Sequence, residues 1–366
     1  MPTIGLDATY IVDAKPTGTA TYCRSLVRSL AQLGAPHRFL VCYRLSRFKH
    51  RRQFRAPLKG INAANFSVQP YQPPFTFWLP WQVDVFHNLG QRPPAFRFKR
   101  EVVTVHDVFP ISGGDYSTPD FQRKFSALLR QAVERASRII TLSEYTASQV
   151  VLHCGVEKSR IRVVPGGVWP QSQVLSPADA ARERARVVGD GHEMLLMVGV
   201  IDNRKNAVTA LRALQFLPPR YRLVLAGGNG YGSEAVHGFI ASQRLEERVK
   251  VPGYVASEAL AALYGSASAL LFPSLEEGFG FPVLEAMARG LPVVASNTSS
   301  LPEVGGDAAL YADPRDPHSI AREAARAVED PDLRREMIRK GALRSREFTW
   351  ERTARETLRV YEELLA

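Results

Sequence analysis

The stretch PSLEEGFGFPVLEAMARGLPVVAS, residues 273–296, decides the fold. An apolar run that ends at residue 272 precedes it and predicts a buried parallel strand. Gly278 and Gly280 predict a loop whose backbone can approach a ligand closely. Pro282 suits the first turn of a helix and Gly290 suits its end. The stretch therefore predicts a strand, a glycine loop, a short helix and a second strand.

Two glutamates flank this loop. Its free backbone N–H groups, at the start of a helix, favour an anion such as a phosphate or a carboxylate. On a helical wheel Glu285 lies outside the apolar arc of the helix, where it can pair with Arg289 on a solvated face. Glu277 can likewise be an ordinary turn residue. The pattern alone leaves structural and functional interpretations of both glutamates open.

The segment EGFGFPVLEAMARGLPV, residues 277–293, resembles the signature of the retaining glycosyltransferases of family 4, which have the GT-B fold. The resemblance implies an α/β protein with two Rossmann-like, doubly wound domains that face a cleft. It also implies that Glu277 and the loop amides hold the donor sugar; these amides belong to Gly278, Phe279, Gly280 and Phe281. Glu285 would bind the ribose hydroxyls, a task that suits an acceptor-only carboxylate.

Length and composition are those of a two-domain globular protein of 366 residues. The sequence contains no run of about 18 apolar residues, so no transmembrane helix is expected. It has no basic segment at its N-terminus, so no signal peptide is expected. Cys23, Cys42 and Cys154 are widely spaced and near no histidine cluster, which favours a reducing, cytoplasmic location without a disulfide framework. We expect no metal ion and no cofactor beside a nucleotide-sugar substrate.

The net charge of +11 is concentrated in the first half of the chain. Residues 1–170 contain 23 Lys and Arg against 10 Asp and Glu, whereas residues 171–366 contain 24 against 26. This asymmetry indicates an anionic partner for the first half. Residues 44–55 interleave basic side chains with Phe and Leu, which suits a membrane surface, although a solvated basic loop fits equally well. No nucleic-acid-binding motif accompanies them, so no nucleic-acid partner is expected.

Residues 71–81 place aromatic side chains between prolines. Most of these rings are expected to pack in the core or between domains. An acceptor cleft or a membrane face is the alternative.

The first half of the chain offers three candidate site residues. Gly18 follows the first strand in a loop before a helix; a plain connection is the default, but the resemblance implies a contact with donor or acceptor. His106 and Asp107 follow a predicted strand, where α/β proteins place ligands. A lone histidine there is often structural, but the resemblance implies that His106 contacts the donor sugar. Asp107 would then orient it or contact the acceptor. Residues 113–119 are expected to form a mobile loop over the acceptor site.

The second half offers a pair of cations. Arg204 and Lys205 follow a predicted strand at the start of a helix; they can be solvated, or they can stabilise the negative charge that leaves with a nucleoside diphosphate. The resemblance implies that Lys205 contacts the diphosphate. Arg204 would replace a family arginine whose position is occupied by Val200. Tyr254 and Val255 lie where the family holds the nucleotide base.

The resemblance implies an acceptor domain over residues 1–170, a nucleotide-sugar domain over 171–345, and a C-terminal helix over 346–366 that crosses back to the first domain, as in other GT-B proteins. The expected function is retaining transfer of a hexose from a nucleotide diphosphate sugar to a glycan or lipid-linked acceptor, as in bacterial mannosyltransferase-type enzymes of surface glycan assembly. GDP-mannose is the first choice of donor and a UDP-sugar the second. The expected location is the cytoplasm, with peripheral binding to the inner face of the membrane. The alternatives are a GT-B nucleotide-sugar epimerase and a non-catalytic nucleotide-sugar-binding subunit.

Overall fold

The computed structural model describes residues 1–12, 17–34, 36–170 and 175–366, and these form two compact units. Unit 1 contains residues 1–112, 119–167 and 349–366, and unit 2 contains residues 113–118 and 168–348. The predicted domain boundary after residue 170 adjoins residues 171–174, which lie outside the described residues.

Unit 1 is built on a parallel sheet of seven strands. These strands are β1 (Thr3–Asp7), β2 (Arg38–Arg44), β3 (Phe66–Tyr71), β4 (Val85–Asn88), β5 (Glu101–Val105), β6 (Arg138–Thr141) and β7 (Ile161–Val163). Their order is β3-β2-β1-β4-β5-β6-β7, so the chain reverses its direction across the sheet between β1 and β4. The helices of this unit are α1 (Gly18–Gln32), α2 (Leu79–Gln82), α3 (Pro119–Arg135), α4 (Glu144–Cys154) and a C-terminal helix (Trp350–Leu365).

Unit 2 repeats the arrangement with six parallel strands. These are β8 (Glu193–Val198), β9 (Tyr221–Ala226), β10 (Val249–Gly253), β11 (Ala269–Phe272), β12 (Val293–Ser296) and β13 (Ala309–Ala312), in the order β10-β9-β8-β11-β12-β13. The reversal point lies between β8 and β11. The helices are α5 (Pro177–Val188), α6 (Ala207–Gln215), α7 (Ser233–Ser242), α8 (Ser257–Ser266), α9 (Phe281–Met287), α10 (Leu301–Gly305), α11 (Pro317–Glu329) and α12 (Pro331–Arg346).

The core of unit 2 joins its strands to its helices. Leu195, Leu223 and Leu271 of three different strands pack with Leu211 of α6 and Ala324 of α11, and all five are buried. Each buried leucine side chain contributes roughly 1.5–3 kcal/mol relative to an exposed one. This core holds β8 and β11 side by side, with Leu270 in register with Leu196.

The stretch at residues 273–296 folds as predicted. Its helix, α9, contains Pro282 in the first turn, and β12 follows. Gly280 has φ of +110°, and a Cβ there would lie 2.7 Å from Cδ2 of Leu301, so only glycine fits without strain. Gly290, with φ of +69°, follows the helix end.

The secondary structure of unit 1 differs from the predictions in three places. Gly18 is not a loop residue but the first residue of α1, because the side chain of Thr17 caps the helix by accepting a hydrogen bond from Ala20 N. Strand β3 was not predicted; it is a half-buried sequence, FSVQPY, that contains a proline. Residues 45–58 form 3-10 turns rather than an open loop, with Phe54 and Pro57 buried.

The expectation of core packing for the rings of residues 71–81 is wrong for four of them. Phe75, Phe77, Trp78 and Trp81 are 68%, 61%, 45% and 79% exposed. Tyr71 is fully buried.

The C-terminal helix packs against α1 within unit 1. Its first residue, Trp350, meets Tyr22 of α1 edge to face with 5.9 Å between ring centroids. Tyr361 Oη lies 2.6 Å from Nδ1 of His87 in β4. In the part of the chain that the structure describes, none of the helices is both long enough and apolar enough to span a membrane.

Candidate active site

The main cluster of charged site residues lies at the carboxyl ends of β8 and β11, where the chain reverses across the sheet of unit 2. Residues 203–206 follow β8 and residues 273–280 follow β11. Because these strands are parallel neighbours, both loops leave the sheet at the same edge. Such a reversal point is where open α/β sheets bind ligands.

Glu277 lies between two cations at this edge. Its Oε1 accepts a hydrogen bond from Nζ of Lys205 at 2.6 Å and forms an ion pair with Nη1 of Arg204 at 2.8 Å. Arg204 also donates to the main-chain carbonyl of Glu276 at 2.8 Å. The side chains of Glu277, Arg204 and Lys205 are only 10%, 13% and 12% exposed. The structure thus brings Glu277 to a pair of cations of which the nearer in the chain, Lys205, lies 72 positions away.

Opposite charges determine the ionisation of this cluster. Burial by itself would raise the pKa of Glu277, but Arg204 and Lys205 outweigh it and hold the pKa at about 2. Burial lowers the pKa of Lys205, although Glu277 opposes that change. Glu277 is therefore a carboxylate at neutral pH, and its oxygens can only accept hydrogen bonds.

Hydrogen bonds to main-chain carbonyls tie the two loops together. Asn206 has φ of +60°, and its Nδ2 donates to the carbonyls of Pro273 and Pro314 at 3.0 and 2.7 Å. Leu275 N donates to the carbonyl of Arg204 at 2.8 Å. These bonds fix Arg204 and Lys205 next to Glu277 without a contribution from the ion pairs.

Two serines that the sequence analysis did not single out position the glutamate loop. Ser299 Oγ accepts a hydrogen bond from Glu277 N at 3.1 Å. The buried Ser300 hydroxyl lies 2.9 Å from the carbonyl oxygens of both Glu277 and Phe279. The only local signal was the polar run after β12, residues 297–300, which follows a carboxyl strand end.

Glu285 does not form the surface ion pair that its position on the helical wheel allowed. Its Oε2 accepts a hydrogen bond from Tyr264 Oη at 2.9 Å, while Arg289 donates to the Glu285 main-chain carbonyl at 3.0 Å. The Arg289 guanidinium lies over the Tyr264 ring, 5.0 Å from its centroid. Burial raises the pKa of Glu285, and the Tyr264 hydrogen bond and Arg289 oppose the rise.

Residues 113–118 belong to unit 2. That residues 113–119 form a mobile loop over the acceptor site stays a prediction. Asp115 Oδ1 accepts from Tyr231 Oη at 2.8 Å, and Asn203 Nδ2 donates to the Asp115 carbonyl at 3.0 Å. Asn203 immediately precedes Arg204. Asp115 thus contacts the loops after β8 and β9, near the charged cluster.

His106 lies in unit 1, directly after β5. Its Nε2 lies 2.8 Å from the Leu89 carbonyl, and its ring meets Tyr22 edge to face at 4.9 Å. Burial lowers its pKa to about 4, so the ring is neutral at pH 7. A neutral ring that donates from Nε2 to a carbonyl retains Nδ1 as an acceptor. The ring of His106 is held by a hydrogen bond to the Leu89 carbonyl. The role of the Asp107 side chain stays a prediction.

A second histidine, His87 in β4, was missed by the sequence analysis. It is fully buried, with Nε2 2.8 Å from Thr104 Oγ1 and Nδ1 2.6 Å from Tyr361 Oη. Burial lowers its pKa to about 3, and the nearby His106 adds to the effect. Nothing local in the sequence distinguishes this histidine, because its partners lie 17 and 274 positions away.

The two buried histidines predict a loss of stability in weak acid. Their folded pKa values lie below the ordinary value of 6.5, so the unfolded chain binds more protons between about pH 6.5 and 4. Their neutral burial is compatible with full stability above pH 6.5, and stability falls as the pH drops toward 4. We expect the free energy of unfolding, measured by urea titration at a series of pH values, to follow this trend. Replacing His87 with Gln should flatten the trend; an unchanged slope would contradict the assignment.

The remaining candidates are more dispersed. Phe279 is buried against Phe281, with 5.0 Å between ring centroids, so only the backbone of Phe279 is available to a ligand. Tyr254 and Val255 follow β10, which is three strands away from β11 in the sheet. Val200 is 45% exposed. Gly18 belongs to unit 1, as do His106 and Asp107. Among the described residues, no three His, Cys, Asp or Glu side chains form a metal-binding group.

Comparison with known proteins covers most of the chain. Residues 16–171 match the family model described as Glycosyltransferase Family 4, and residues 181–344 match the one described as Glycosyl transferases group 1. O-antigen chain mannosyltransferase B of Escherichia coli is 31% identical over 271 residues, which cover 72% of this chain and 71% of that protein. Serotype-specific mannosyltransferase WbdA of Escherichia coli is 29% identical over 278 residues, which cover 73% of this chain but 34% of that protein.

Solved structures share the fold at low sequence identity. Anabaena Alr3699/HepE, in complex with UDP and glucose, has a TM-score of 0.77 at 18% identity over 99% of this chain and 100% of that chain. Sucrose-phosphate synthase from Thermosynechococcus elongatus has a TM-score of 0.75 at 22% identity over 100% of this chain and 99% of that one. The prediction of an α/β fold with two Rossmann-like domains of the GT-B type is confirmed.

Proposed function

This chain belongs to glycosyltransferase family 4, and we propose that it transfers mannose from GDP-mannose, with retention of configuration, to a hydroxyl of a glycan or lipid-linked acceptor. A UDP-hexose is the second candidate donor. The observation that carries the proposal is the buried Glu277 carboxylate held between Arg204 and Lys205 at the reversal point of unit 2. Family membership favours a transferase over the epimerase and the non-catalytic subunit.

The charge balance of this cluster suits a diphosphate. Two cations directly contact one carboxylate, and Asp202 lies farther away, at 3.9 Å from Arg204. A diphosphate that enters can take hydrogen bonds from Arg204 and Lys205, and Glu277 then accepts hydrogen bonds from hydroxyls of the donor sugar. Because the cluster is largely removed from water, each of these charge-assisted bonds is strengthened.

The proposed chemical step needs no enzyme nucleophile. The bond between C1 of the sugar and the diphosphate oxygen breaks, while the acceptor oxygen bonds to C1 on the same face. The acceptor proton passes to the departing phosphate oxygen. Arg204, Lys205 and the amides of residues 278–281 stabilise the charge that develops on the diphosphate. His106 would accept a hydrogen bond from a sugar hydroxyl at Nδ1.

The choice of donor rests on the relatives. O-antigen chain mannosyltransferase B and serotype-specific mannosyltransferase WbdA are named as mannosyltransferases, which supports a mannosyl donor. The words O-antigen and serotype in these names support a surface glycan as the acceptor. The complexes of Alr3699/HepE with UDP and glucose keep UDP-glucose as the second candidate. All three cysteines are free thiols, in keeping with the proposed cytoplasmic location.

A transfer assay tests the proposal. The protein is incubated in EDTA with GDP-mannose or UDP-glucose and a synthetic mannoside that carries a hydrophobic aglycone. We expect release of GDP and an α-linked product by NMR, since GDP-mannose carries an α-linked sugar. Release of UDP instead would select the second donor. A β-linked product would overturn retention, and a strict need for added Mg²⁺ would overturn the role of Arg204 and Lys205 as the source of positive charge.

Glu285 is proposed to bind the ribose, so its loss should weaken donor binding more than it slows the chemistry. For Glu285→Ala we expect KM for the sugar nucleotide to rise by about tenfold or more, with a smaller change in kcat. Tyr264→Phe is the control, because it removes the hydrogen bond to Glu285 but keeps the carboxylate. Steady-state kinetics of both variants give the comparison. A KM for the sugar nucleotide in Glu285→Ala equal to that of the wild type would contradict the proposal that Glu285 binds the donor.

A further inference from the structure

A cavity lies at the amino edge of the unit 2 sheet, between α5, α8, α11 and α12. Its volume of about 440 Å³ is in the range of cavities that hold small ligands. Glu193, which lines it, is the first residue of β8, whereas the Glu277 cluster follows the carboxyl end of that strand. At about 3.3 Å per residue, the six residues of β8 separate the two edges by roughly 20 Å. The cavity is therefore distinct from the candidate active site.

Two arginines line this cavity, Arg184 of α5 and Arg334 of α12. Within the described parts of the chain, the Arg184 side chain has no hydrogen bond and no ion pair. Arg334 donates from Nη1 to the main-chain carbonyl of Ser268 and has no ion pair with a described carboxylate. Because a guanidinium group carries five N–H donors, both arginines have donors left for a ligand.

The charge of the cavity favours an anion. Glu193 is the one acidic side chain among the described residues that line it, and its Oε2 accepts a hydrogen bond from the Ser268 hydroxyl. Two positive charges and one negative charge leave a net charge of +1. Burial lowers the pKa of Arg334, Glu193 opposes this change, and the Arg184 guanidinium adds to it. The two cations thus repel each other, and an anion between them removes that repulsion.

The charged end of the cavity is held in place by the sheet. Ser268, directly before β11, donates from its N to the Met194 carbonyl at 2.8 Å and accepts from Met194 N at Oγ, at 3.1 Å. Ser268 in turn contacts both Glu193 and Arg334. These bonds exist without a ligand, so little ordering is needed when one binds.

The rest of the wall is largely small and apolar. It includes Ala180 and Ala181 of α5, Ala267 before β11 and Val328 of α11. Such a wall accepts an organic group of a ligand, because apolar surface is removed from water on both sides. The cavity therefore combines a cationic end with an apolar wall.

From this combination we propose that the cavity is a second ligand site, which binds a phosphate monoester. The phosphate lies between the two arginines. Arg184 donates two parallel hydrogen bonds to it, and Arg334 donates from N–H groups that do not contact Ser268. The organic group of the ester packs on the apolar wall. This site goes beyond the proposed function and does not rest on it.

The test is calorimetric titration of phenyl phosphate, inorganic phosphate and phenol into the wild-type protein. We expect phenyl phosphate to bind, and inorganic phosphate to bind more weakly because it leaves the apolar wall uncovered. Phenol, which lacks the charge, should not bind. Phenyl phosphate should also raise the Tm, because a ligand that binds only the folded protein stabilises it.

Variants of the two arginines assign the binding to the cavity. Arg184→Gln should keep the Tm of the ligand-free wild type, since Arg184 has no hydrogen bond to lose, and should bind phenyl phosphate about tenfold or more weakly. Arg334→Gln is the second variant and should weaken binding similarly. Arg182→Gln is the matched control and should bind like the wild type, because Arg182 is an exposed arginine of the same helix that pairs with Asp179.

The Lys205→Ala variant separates this site from the proposed diphosphate site, which can also attract a phosphate. We expect Lys205→Ala to keep the binding event that Arg184→Gln loses. The reverse pattern, equal affinity in the wild type and both arginine variants, or no binding of millimolar phenyl phosphate by the wild type would overturn the proposal. Transfer in phosphate-free buffer should be unchanged in Arg184→Gln, so failure of the wild type in the transfer assay concerns the proposed function alone.

Discussion

Replacing Glu277 with Gln is expected to lower kcat/KM for hexosyl transfer by about a thousandfold or more. The amide removes the negative charge between Arg204 and Lys205 and one of the acceptors proposed to hold the donor sugar. Steady-state kinetics with a saturating acceptor give the value. Glu247→Gln, an exposed glutamate of unit 2, is the matched control and should retain wild-type activity.

Stability must be followed in the same variant. Glu277→Gln leaves two largely buried cations without their shared partner, which can cost about 3–5 kcal/mol. Glu277→Asp is therefore measured as well, because it keeps the charge but shortens the side chain by one methylene. We expect Glu277→Asp to fold with a Tm near that of the wild type and to lose most of the activity. Wild-type kinetics in a folded Glu277→Gln variant would contradict the assigned role.

Replacing Lys205 with Ala is expected to lower kcat by about a hundred- to a thousandfold, and to raise KM for the donor less. Negative charge grows on the diphosphate as the bond to the sugar breaks, so the ammonium group contributes most in the transition state. Removing it also leaves Glu277 with Arg204 as its remaining cation partner within 3 Å. Single-turnover and steady-state measurements separate the chemical step from binding.

The control for Lys205 is Lys250→Ala, an exposed lysine in β10 that should behave like the wild type. Lys205→Arg keeps the charge but not the shape, because the planar guanidinium has to fit beside Phe272, whose ring centroid is 4.3 Å from the Lys205 Nζ. We expect partial recovery. A kcat for Lys205→Ala within about threefold of the wild type would contradict the role of Lys205 in stabilising the transition state.

The local order of elements around Glu277 was predictable because its signals are local. Pro282 marks a helix start and Gly290 a helix end whatever surrounds them, since both act through their own backbone dihedrals. The same reasoning was wrong for Gly18. There the side chain of Thr17 caps the helix, so Gly18 is its first residue and not part of a preceding loop.

The contacts of the candidate site could not be predicted from the sequence. Lys205 meets Glu277 across 72 positions of chain, and His87 meets Tyr361 across 274, so only the folded sheets bring them together. The helical wheel of α9 correctly placed Glu285 outside the apolar arc. It could not show that Tyr264, from another helix, covers that side.

The sequence could not show which aromatic rings of residues 71–81 are exposed. Proline-rich aromatic runs occur in cores and on surfaces alike, and hydropathy alone favours the core. The structure separates the cases: Tyr71 is buried, whereas Trp81, ten residues later, is 79% exposed.

The most direct test of the central claim is calorimetric titration of GDP, UDP and ADP, in EDTA, into the wild type and Lys205→Ala. We expect the wild type to bind GDP most tightly and Lys205→Ala to bind it at least about tenfold more weakly. Binding of none of the three nucleotides by the wild type, or equal GDP affinity in both proteins, would contradict the assignment of the Glu277 cluster as the site of the nucleotide diphosphate.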